Sequence, residues 1–462
     1  MANLLSVVER LNNCGQEHIA HTLDNFDPNH PIYHQLSALN IERSIGHFKS
    51  ANLGNDEKTL SGFLPVSNVV QISTTSPTSG VDAIAAGEVA AVIMSGGQGT
   101  RLGYHGPKGM YDLEMPSHKS IFQLHIEKVM RVKKLYCPSA TIPIYIMTSN
   151  LNHSIIVNYF KEKSYFGYPE NDVVFFEQGV EPSFTLDGKI IIESADSLSL
   201  APDGNGGIYR ALQYSGCIDD MVRRGIQHLH IYGIDNVLTK ALDPAFLGAC
   251  IDRAAECGNK VVWRAHKAEK VGVIAELNSH MHVLEYSELP ADLADAVDAD
   301  TGKLLFGAAN ICNHYLSVQF LRNKVLPSLS EVYHVARKKI PFYDPVSKQT
   351  VTPSEVNGVK LEMFIFDVFP LAERWVVVEG LREDEFAPVK NAPGSTQDSP
   401  DTARALLSAQ SRRWLLAAGA RIVDASAAKP AGTAGTEELC EISSLLSYAG
   451  EGLEAFAGKD IT

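Results

Sequence analysis

The segment AAVIMSGGQGTRLGYHGPKGMYD, residues 90–112, constrains this chain more than any other part of it. An apolar strand ends at Met94 and Ser95. Gly96, Gly97 and Gly99 then remove side chains, so that backbone amides can converge on an anion. Arg101 adds a planar donor fork and Lys108 a compact ammonium, both suited to phosphate oxygens. An ordinary glycine-rich strand-to-helix turn is the plain alternative, and two cations at this spacing weigh against it. Two familiar phosphate signatures are excluded. A dinucleotide fingerprint needs a glycine where Leu102 stands, and a P-loop needs GxxxxGK[ST], which does not occur here.

Downstream, short β-branched or aromatic runs alternate with helical patterns for about 300 residues, the form of βαβ units around a mostly parallel sheet. The expected strands are 90–94, 143–148, 173–178, 228–234 and 260–264, with 282–286, 304–306 and 375–379 as antiparallel additions. Before them, Leu4, Leu5, Val8 and Leu11 recur at helical spacing, and two or three helices are expected up to about residue 51. The run TTSPTSG, 74–80, is loop chemistry. After residue 390 come a helix, 402–418, an Ala-rich stretch, and a short strand with turns over 438–457. The expected organisation is a helical amino-terminal segment, 1–75, a catalytic core, 76–390, and a small carboxy-terminal module, 391–462.

Composition narrows the partners. Among 462 residues, 54 acidic against 40 basic side chains leave a formal charge of −14. Nucleic acids and anionic membranes call for a clustered positive surface, so neither is an expected partner. Seven cysteines without a CxxC pair point to a reducing compartment rather than a disulfide framework or zinc knuckle. No run of about 18 uncharged apolar residues is present. The first residues, MANLLSVVERLNNCGQEHI, lack the basic and apolar regions of a secretory signal. A cytoplasmic protein, monomeric or weakly self-associating, is expected.

The motif GGQGTRLG followed by PKGMYD resembles the signature of eukaryotic UDP-N-acetylhexosamine pyrophosphorylases. The resemblance extends through YFGYPENDVVFFEQG (165–179), SLAPDGNGGIYRAL (199–212), the Asp-Asn pair at 235–236 and VLEYSEL (283–289). It continues in AANICNHY (308–315), NGVKLEMFIFDVF (357–369), LREDEFAPVKNA (381–392) and CEISSLLSYAGEGLE (440–454). Nearly the whole chain is covered. The resemblance implies an α/β, glycosyltransferase-A-like (Rossmann-like) mixed sheet. It also implies a uridylyltransferase that joins UTP and N-acetylglucosamine 1-phosphate, with Mg²⁺, into UDP-N-acetylglucosamine and pyrophosphate.

Residue by residue, the resemblance gives Met94, Ser95, Gly96, Gly97 and Lys108 to the nucleotide, and Arg101, Lys108 and Lys390 to catalysis. Gln178 and Gly204 fall on uracil, Lys360 on UTP, and Asp235 on nucleotide and metal. Asn205, Glu285, Tyr286, Asn310, Phe364 and Phe366 fall on the sugar, with Lys390 on its phosphate. Asp367 is a possible second metal ligand, with a buried aspartate capping backbone amides as the alternative. Gly307, Ala308, Ala309 and Asn310 stand where the family shows Asn-Ala-Gly-Asn, which puts a methyl beside the sugar. The pairs His228/His230 and His280/His282 each share a strand face. Without a third ligand at zinc spacing they read as packed histidines. Two rivals remain: a uridylyltransferase preferring N-acetylgalactosamine or glucose 1-phosphate, and a nucleotide-sugar sensor that does not turn over.

Overall fold

The structure, a computed structural model, describes residues 2–22, 28–53, 62–329, 333–423 and 439–461. They form two compact units. The first draws on Met1–Ser61, Gln178–Ala211 and Leu326–Val368, and the second on Gly62–Glu177, Leu212–Val325 and Phe369–Thr462. The stretch expected as a single core, 76–390, thus contributes two segments to the unit that holds the amino-terminal helices. Residues 54–61 of the expected lead and 424–438 of the expected terminal module lie outside the described residues.

The second unit is built on a sheet with eleven strands among the described residues. Its main path runs Val69–Gln71, Trp375–Glu379, Cys257–Trp263, Ala308–Ser317, His228–Gly233, Val89–Met94, Ile144–Thr148, Val173–Glu177. Val89–Met94 is buried at all six positions, as the unbroken apolar run requires of a strand covered on both faces. It pairs in parallel with both neighbours, in a register that sets Met94 beside Gly233 and beside Met147. Three carboxyl ends are therefore level, and the segments that follow them emerge along one edge, where open α/β sheets bind ligands. Helix Ile121–Tyr136 covers the sheet through Ile121, Phe122, Ile126, Val129 and Val132, and is N-capped by Ser120.

Three strand expectations need correction. Trp375–Glu379 is parallel to both Cys257–Trp263 and Val69–Gln71, not antiparallel. Residues 304–306 form no strand. The strand starts at Ala308, where its pairing with Trp263 begins, and runs to Ser317. Over 439–457 there are turns and a 3₁₀ turn, and the short strand is Asp460–Ile461, parallel to Arg421–Ile422. His280–Leu284 is antiparallel, as expected. The helix expected at 402–418 is Pro400–Ala417, opened by a capping box between Ser399 and Thr402.

In the first unit, four amino-terminal helices occur among the described residues, Ala2–Asn13, His18–Thr22, Pro31–Ala38 and Ile41–Leu53, where two or three were expected. Their apolar stripes, with Val7, Leu11, Ile32, Leu36, Ile41 and Ile45, share a core with Phe184, Ile190, Leu198, Val359, Leu361 and Met363. Strand Gly358–Glu362 lies antiparallel between His334–Lys338 and Phe184–Thr185.

Candidate functional site

In the second unit, the glycine loop is held by its carbonyls. Ser95 Oγ donates to Met147 O at 2.8 Å, and the buried Asn152 donates through Nδ2 to Ser95 O at 3.3 Å and Gly96 O at 3.1 Å. Gly99 N–H donates to Gly106 O at 2.8 Å, and Lys108 N–H to Gly97 O at 3.3 Å, closing the loop into a ribbon. The N–H groups of Gly96, Gly97 and Gln98 donate to no acceptor among the described residues. Three adjacent unpaired donors, with the Gly96 and Gly97 carbonyls tied back, make a concavity suited to an anion. Asn152 was not read from the sequence. Its signal is an asparagine shortly after a buried strand at the ligand-bearing edge.

Asp235 follows strand His228–Gly233, and its Oδ2 stands 3.7 Å from Lys108 Nζ, both side chains being partly exposed. The next residue fixes the turn. Asn236 Nδ2 donates to Glu385 O at 2.7 Å, while its Oδ1 accepts from Ala387 N–H at 2.9 Å. Asp235 O accepts from Val389 N–H at 2.9 Å, so Lys390 follows directly on the residue bonded to Asp235. Asp398 O accepts from both Lys390 N–H at 2.7 Å and Asn391 N–H at 2.8 Å. Burial drives the Cys312 thiol up to about 12, with Asp235 pushing the same way and Lys390 opposing, so Cys312 stays a neutral packing group beside both charges.

Arg101, Tyr286 and Lys390 line one cleft of about 840 Å³, together with His266, Lys270, Arg382 and Asp398. Glu285 and Asn310 meet at Gly272. A Cβ there would lie 3.0 Å from Glu285 Oε1, and Gly272 O accepts from Asn310 N–H at 2.8 Å. The Ala309 methyl expected beside the sugar is fully buried in an apolar cluster with Val262, Ile311 and Phe386.

In the first unit, PDGNGG folds back on the segment after strand Gly358–Glu362. Gly206 N–H donates to Met363 O at 2.9 Å, Met363 N–H to Asp203 O at 2.8 Å, and Ile365 N–H to Asn205 Oδ1 at 3.0 Å. Gly204 has φ +86°, and a Cβ there would fall 2.1 Å from Met363 O, so only glycine fits. The Gln178 carboxamide nitrogen donates to Gly204 O, which brings the two expected uracil readers together. Phe364 and Phe366 stack on each other at 5.0 Å, the first just ahead of a 3₁₀ turn over Ile365–Leu371 and the second inside it, rather than on a strand. Lys360 is half-buried on strand Gly358–Glu362. Asn205 spends its carbonyl oxygen on the fold, leaving its NH₂ as the end available to a ligand. Gln178, Gly204, Asn205, Lys360, Phe364, Phe366 and Asp367 thus belong to the first unit, and the other expected site residues to the second.

Mg²⁺ is implied by the resemblance, and the donor set fits it. Among the described residues no group of three or more His, Cys, Asp or Glu converges as a metal cage. Mg²⁺ in phosphate-binding sites needs only one or two carboxylates, its other positions being filled by water and phosphate oxygens. Asp235 can supply one. Asp367 takes the capping alternative: Oδ1 bonds His334 Nε2 at 2.9 Å and Oδ2 accepts from Phe364 N–H at 2.7 Å. The histidine pair on strand His228–Gly233 is packed as read. His230 Nε2 meets Asn313 Oδ1 at 2.7 Å and His228 Nδ1 meets Tyr315 OH at 2.8 Å.

A mixed sheet with an unpaired amide nest, a lysine–aspartate pair and a second lysine at its ligand-bearing edge suits a phosphorylated ligand, and comparison with known proteins gives the class, a sugar-nucleotide nucleotidyltransferase. The solved UDP-N-acetylglucosamine pyrophosphorylase from Trypanosoma brucei superposes with a TM-score of 0.80 at 28% identity, covering 98% of this chain and 95% of that one. The chain belongs to the UDPGP family, described as UTP–glucose-1-phosphate uridylyltransferase, whose model matches residues 60–434. Among its relatives, the UDP-N-acetylglucosamine pyrophosphorylase of Saccharomyces cerevisiae is 44% identical over 82% of this chain and 78% of its own length. The human UDP-N-acetylhexosamine pyrophosphorylase-like protein 1 is 42% identical over 81% and 75%. UDP-N-acetylglucosamine diphosphorylase 2 of Arabidopsis thaliana is 38% identical over 97% and 91%. The resemblance read from the motifs is borne out.

Proposed function

We propose that this chain is a UTP:N-acetylglucosamine-1-phosphate uridylyltransferase. A phosphate oxygen of the sugar phosphate attacks the α-phosphorus of UTP in line, and pyrophosphate leaves. The observation that carries this reading is the nest of Gly96, Gly97 and Gln98 amides, with Lys108 beside Asp235 and Lys390 tied through Val389 to the same aspartate. Both reactants arrive with their reacting groups in place, so catalysis is mainly positioning and charge neutralisation. The nest and Arg101 hold the triphosphate. Lys108 is placed for the phosphates that carry growing charge, and Lys390 orients the attacking sugar phosphate. Gln178 and Gly204 read uracil, Lys360 is a further contact to UTP, and Asn205, Glu285, Tyr286, Asn310, Phe364 and Phe366 fall to the acetamido sugar. Asp235 would hold Mg²⁺, which would supply charge neutralisation to the phosphates.

No helix among the described residues is long and apolar enough to cross a membrane. All seven cysteines are free thiols, which supports a reducing, cytoplasmic site of action. Pyrophosphate release from UTP with a panel of sugar 1-phosphates tests the proposal. Release with N-acetylglucosamine 1-phosphate well above that with glucose 1-phosphate is expected, and faster turnover of glucose 1-phosphate, or none of any, would refute it.

A further inference from the structure

The turn that carries Asp235 is gripped by a helix that none of the chemistry above uses. On helix Ile121–Tyr136, His125 and Lys128 stand three residues apart and so share a face. The fully buried His125 bonds Ile234 O through Nε2 at 3.1 Å, and because a carbonyl only accepts, that nitrogen carries the proton. Lys128 Nζ donates to Val237 O at 2.5 Å and to Thr239 O at 2.9 Å. Neither of these two carbonyls accepts another hydrogen bond among the described residues. The two side chains thus hold the backbone on either side of Asp235 and Asn236.

The same turn is bridged to the segment that brings in Lys390. Asn236 pairs with Pro388, Val237 N–H donates to Ala387 O at 3.3 Å, and Lys390 follows directly on Val389, whose N–H donates to Asp235 O. A donor that fixes residues 237–239 therefore fixes both the aspartate and the second lysine. Packing does not call for a lysine here. The helix is seated by Ile121, Phe122, Ile126, Val129 and Val132, and burial pushes the pKa of Lys128 down to about 7, with Glu385 opposing and Lys240 adding to the shift. Methionine has a similar length without that cost, but it has no N–H to give. Even the neutral amine keeps two N–H donors, so the grip on two carbonyls outlasts loss of the proton.

We infer that Lys128 is a positioning residue for the nucleotidyl transfer: by holding the carbonyls of Val237 and Thr239 it sets how the turn presents Asp235 and, across the bridge, Lys390. The inference rests on the uridylyltransferase reading and adds to it a residue that need touch neither nucleotide nor sugar. Arginine is the conservative substitute. It keeps N–H donors, and a cavity of about 40 Å³ beside the side chain, lined also by Gln410, Ser411, Trp414 and Tyr448, gives room for the larger head group.

The test is pyrophosphate release from UTP and N-acetylglucosamine 1-phosphate by wild type, Lys128→Met, Lys128→Arg, Lys128→Gln and Tyr448→Phe, with thermal melts and amide exchange of peptides spanning 234–241 and 386–391. In Lys128→Met kcat should fall ~10-fold or more, with KM for either substrate moving by less than ~3-fold, because the reacting groups are misplaced rather than lost. Both peptides should exchange at least ~10-fold faster, while strand Val89–Met94 keeps its protection. Lys128→Arg should restore kcat to within ~3-fold. Lys128→Gln, whose amide nitrogen stops one bond short, should lose kcat the same way and carries the test if Lys128→Met does not fold. Tyr448→Phe removes the donor to Ala241 O, at 2.7 Å and beyond the turn, so it should lower the melting temperature without lowering kcat. A Lys128→Met enzyme that keeps kcat within ~3-fold, or loses no more of it than Tyr448→Phe at an equal drop in melting temperature, would overturn the positioning role while leaving the enzyme reading intact. Wild type that releases no pyrophosphate with any sugar 1-phosphate would overturn both.

Discussion

Lys260→Met should be among the most damaging single substitutions in the second unit, although Lys260 contacts no proposed substrate. Its ammonium is fully buried and bonds Asp243 Oδ2 at 2.5 Å and Glu385 Oε2 at 3.1 Å, while Lys240 meets Glu385 Oε1 at 3.3 Å. Asp243 caps helix Pro244–Ile251 through Ala245 N–H at 3.0 Å. Methionine has the right length but leaves two buried carboxylates with one cation between them. Breaking a buried pair in this way costs about 3–5 kcal/mol. With a urea m-value on the order of 3 kcal/mol/M, the unfolding midpoint should fall by about 1 M or more.

The pH dependence carries a sign. Burial alone would raise the pKa of Asp243, but Lys260 and then Lys240 outweigh it and hold the carboxyl below its ordinary range. A depressed acid contributes stability that is present above its unfolded pKa of roughly 3.9 and lost as pH falls through the folded value. Wild type therefore keeps this contribution at neutral and mildly acidic pH. The variant, deprived of the main cation, should show its largest deficit near neutrality and a smaller one toward pH 5. Urea melts at about pH 7.5 and about pH 5.5 check both points. The triple variant Lys260→Met/Asp243→Asn/Glu385→Gln should regain most of the loss, because no unpaired carboxylate remains. A single-variant deficit below about 1 kcal/mol, or one that grows on acidification, would refute the reasoning.

Other outcomes follow from the site. Lys390→Ala should lower turnover more than ~10²-fold, as expected for a preorganised charge of about 3 kcal/mol, and near-normal rates would make the lysine peripheral. Asp235→Ala should remove activity together with its response to Mg²⁺ titration; an active variant still dependent on the metal would move the ligand elsewhere. Asn152→Ala frees the carbonyls of Ser95 and Gly96, and should raise KM for UTP several-fold while leaving KM for the sugar phosphate alone. Gly204→Ala places a methyl 2.1 Å from Met363 O at φ +86°, and should abolish UTP binding measured by calorimetry even if the chain still folds.

What could be read in advance was local. A strand that is apolar at every position, followed by glycines and two cations, is written in consecutive residues, and the loop at 94–112 takes the place expected of it. Pairing direction is not written that way. Trp375–Glu379 has the same apolar pattern in either orientation, and only its position between Val69–Gln71 and Cys257–Trp263 makes it parallel. The apolar run at 304–306 misled because its pattern is the same in a turn and in a strand, and only the partner strand, which ends at Trp263 opposite Ala308, sets where pairing begins. Asp367 looked equally suited to a metal or to a backbone cap. The choice depends on His334, 33 residues earlier in the chain. Asn152 acts through the carbonyls it holds, and such a role is invisible until the partners are in space.

The interleaving of the first unit has a consequence for how the chain is made. Its helical lead leaves the ribosome first, yet Val7, Leu11 and Ile45 share their core with Val359, Leu361 and Met363. At synthesis rates of roughly 5–20 residues per second, the lead waits on the order of 15–50 s for the last segment to appear. During that time its apolar stripes have no permanent cover, and the closure that follows is long-range and intrinsically slow. A nascent chain stopped before residue 326 should therefore expose these helices to protease and chaperone. One stopped after residue 368 has every segment from which the first unit is built.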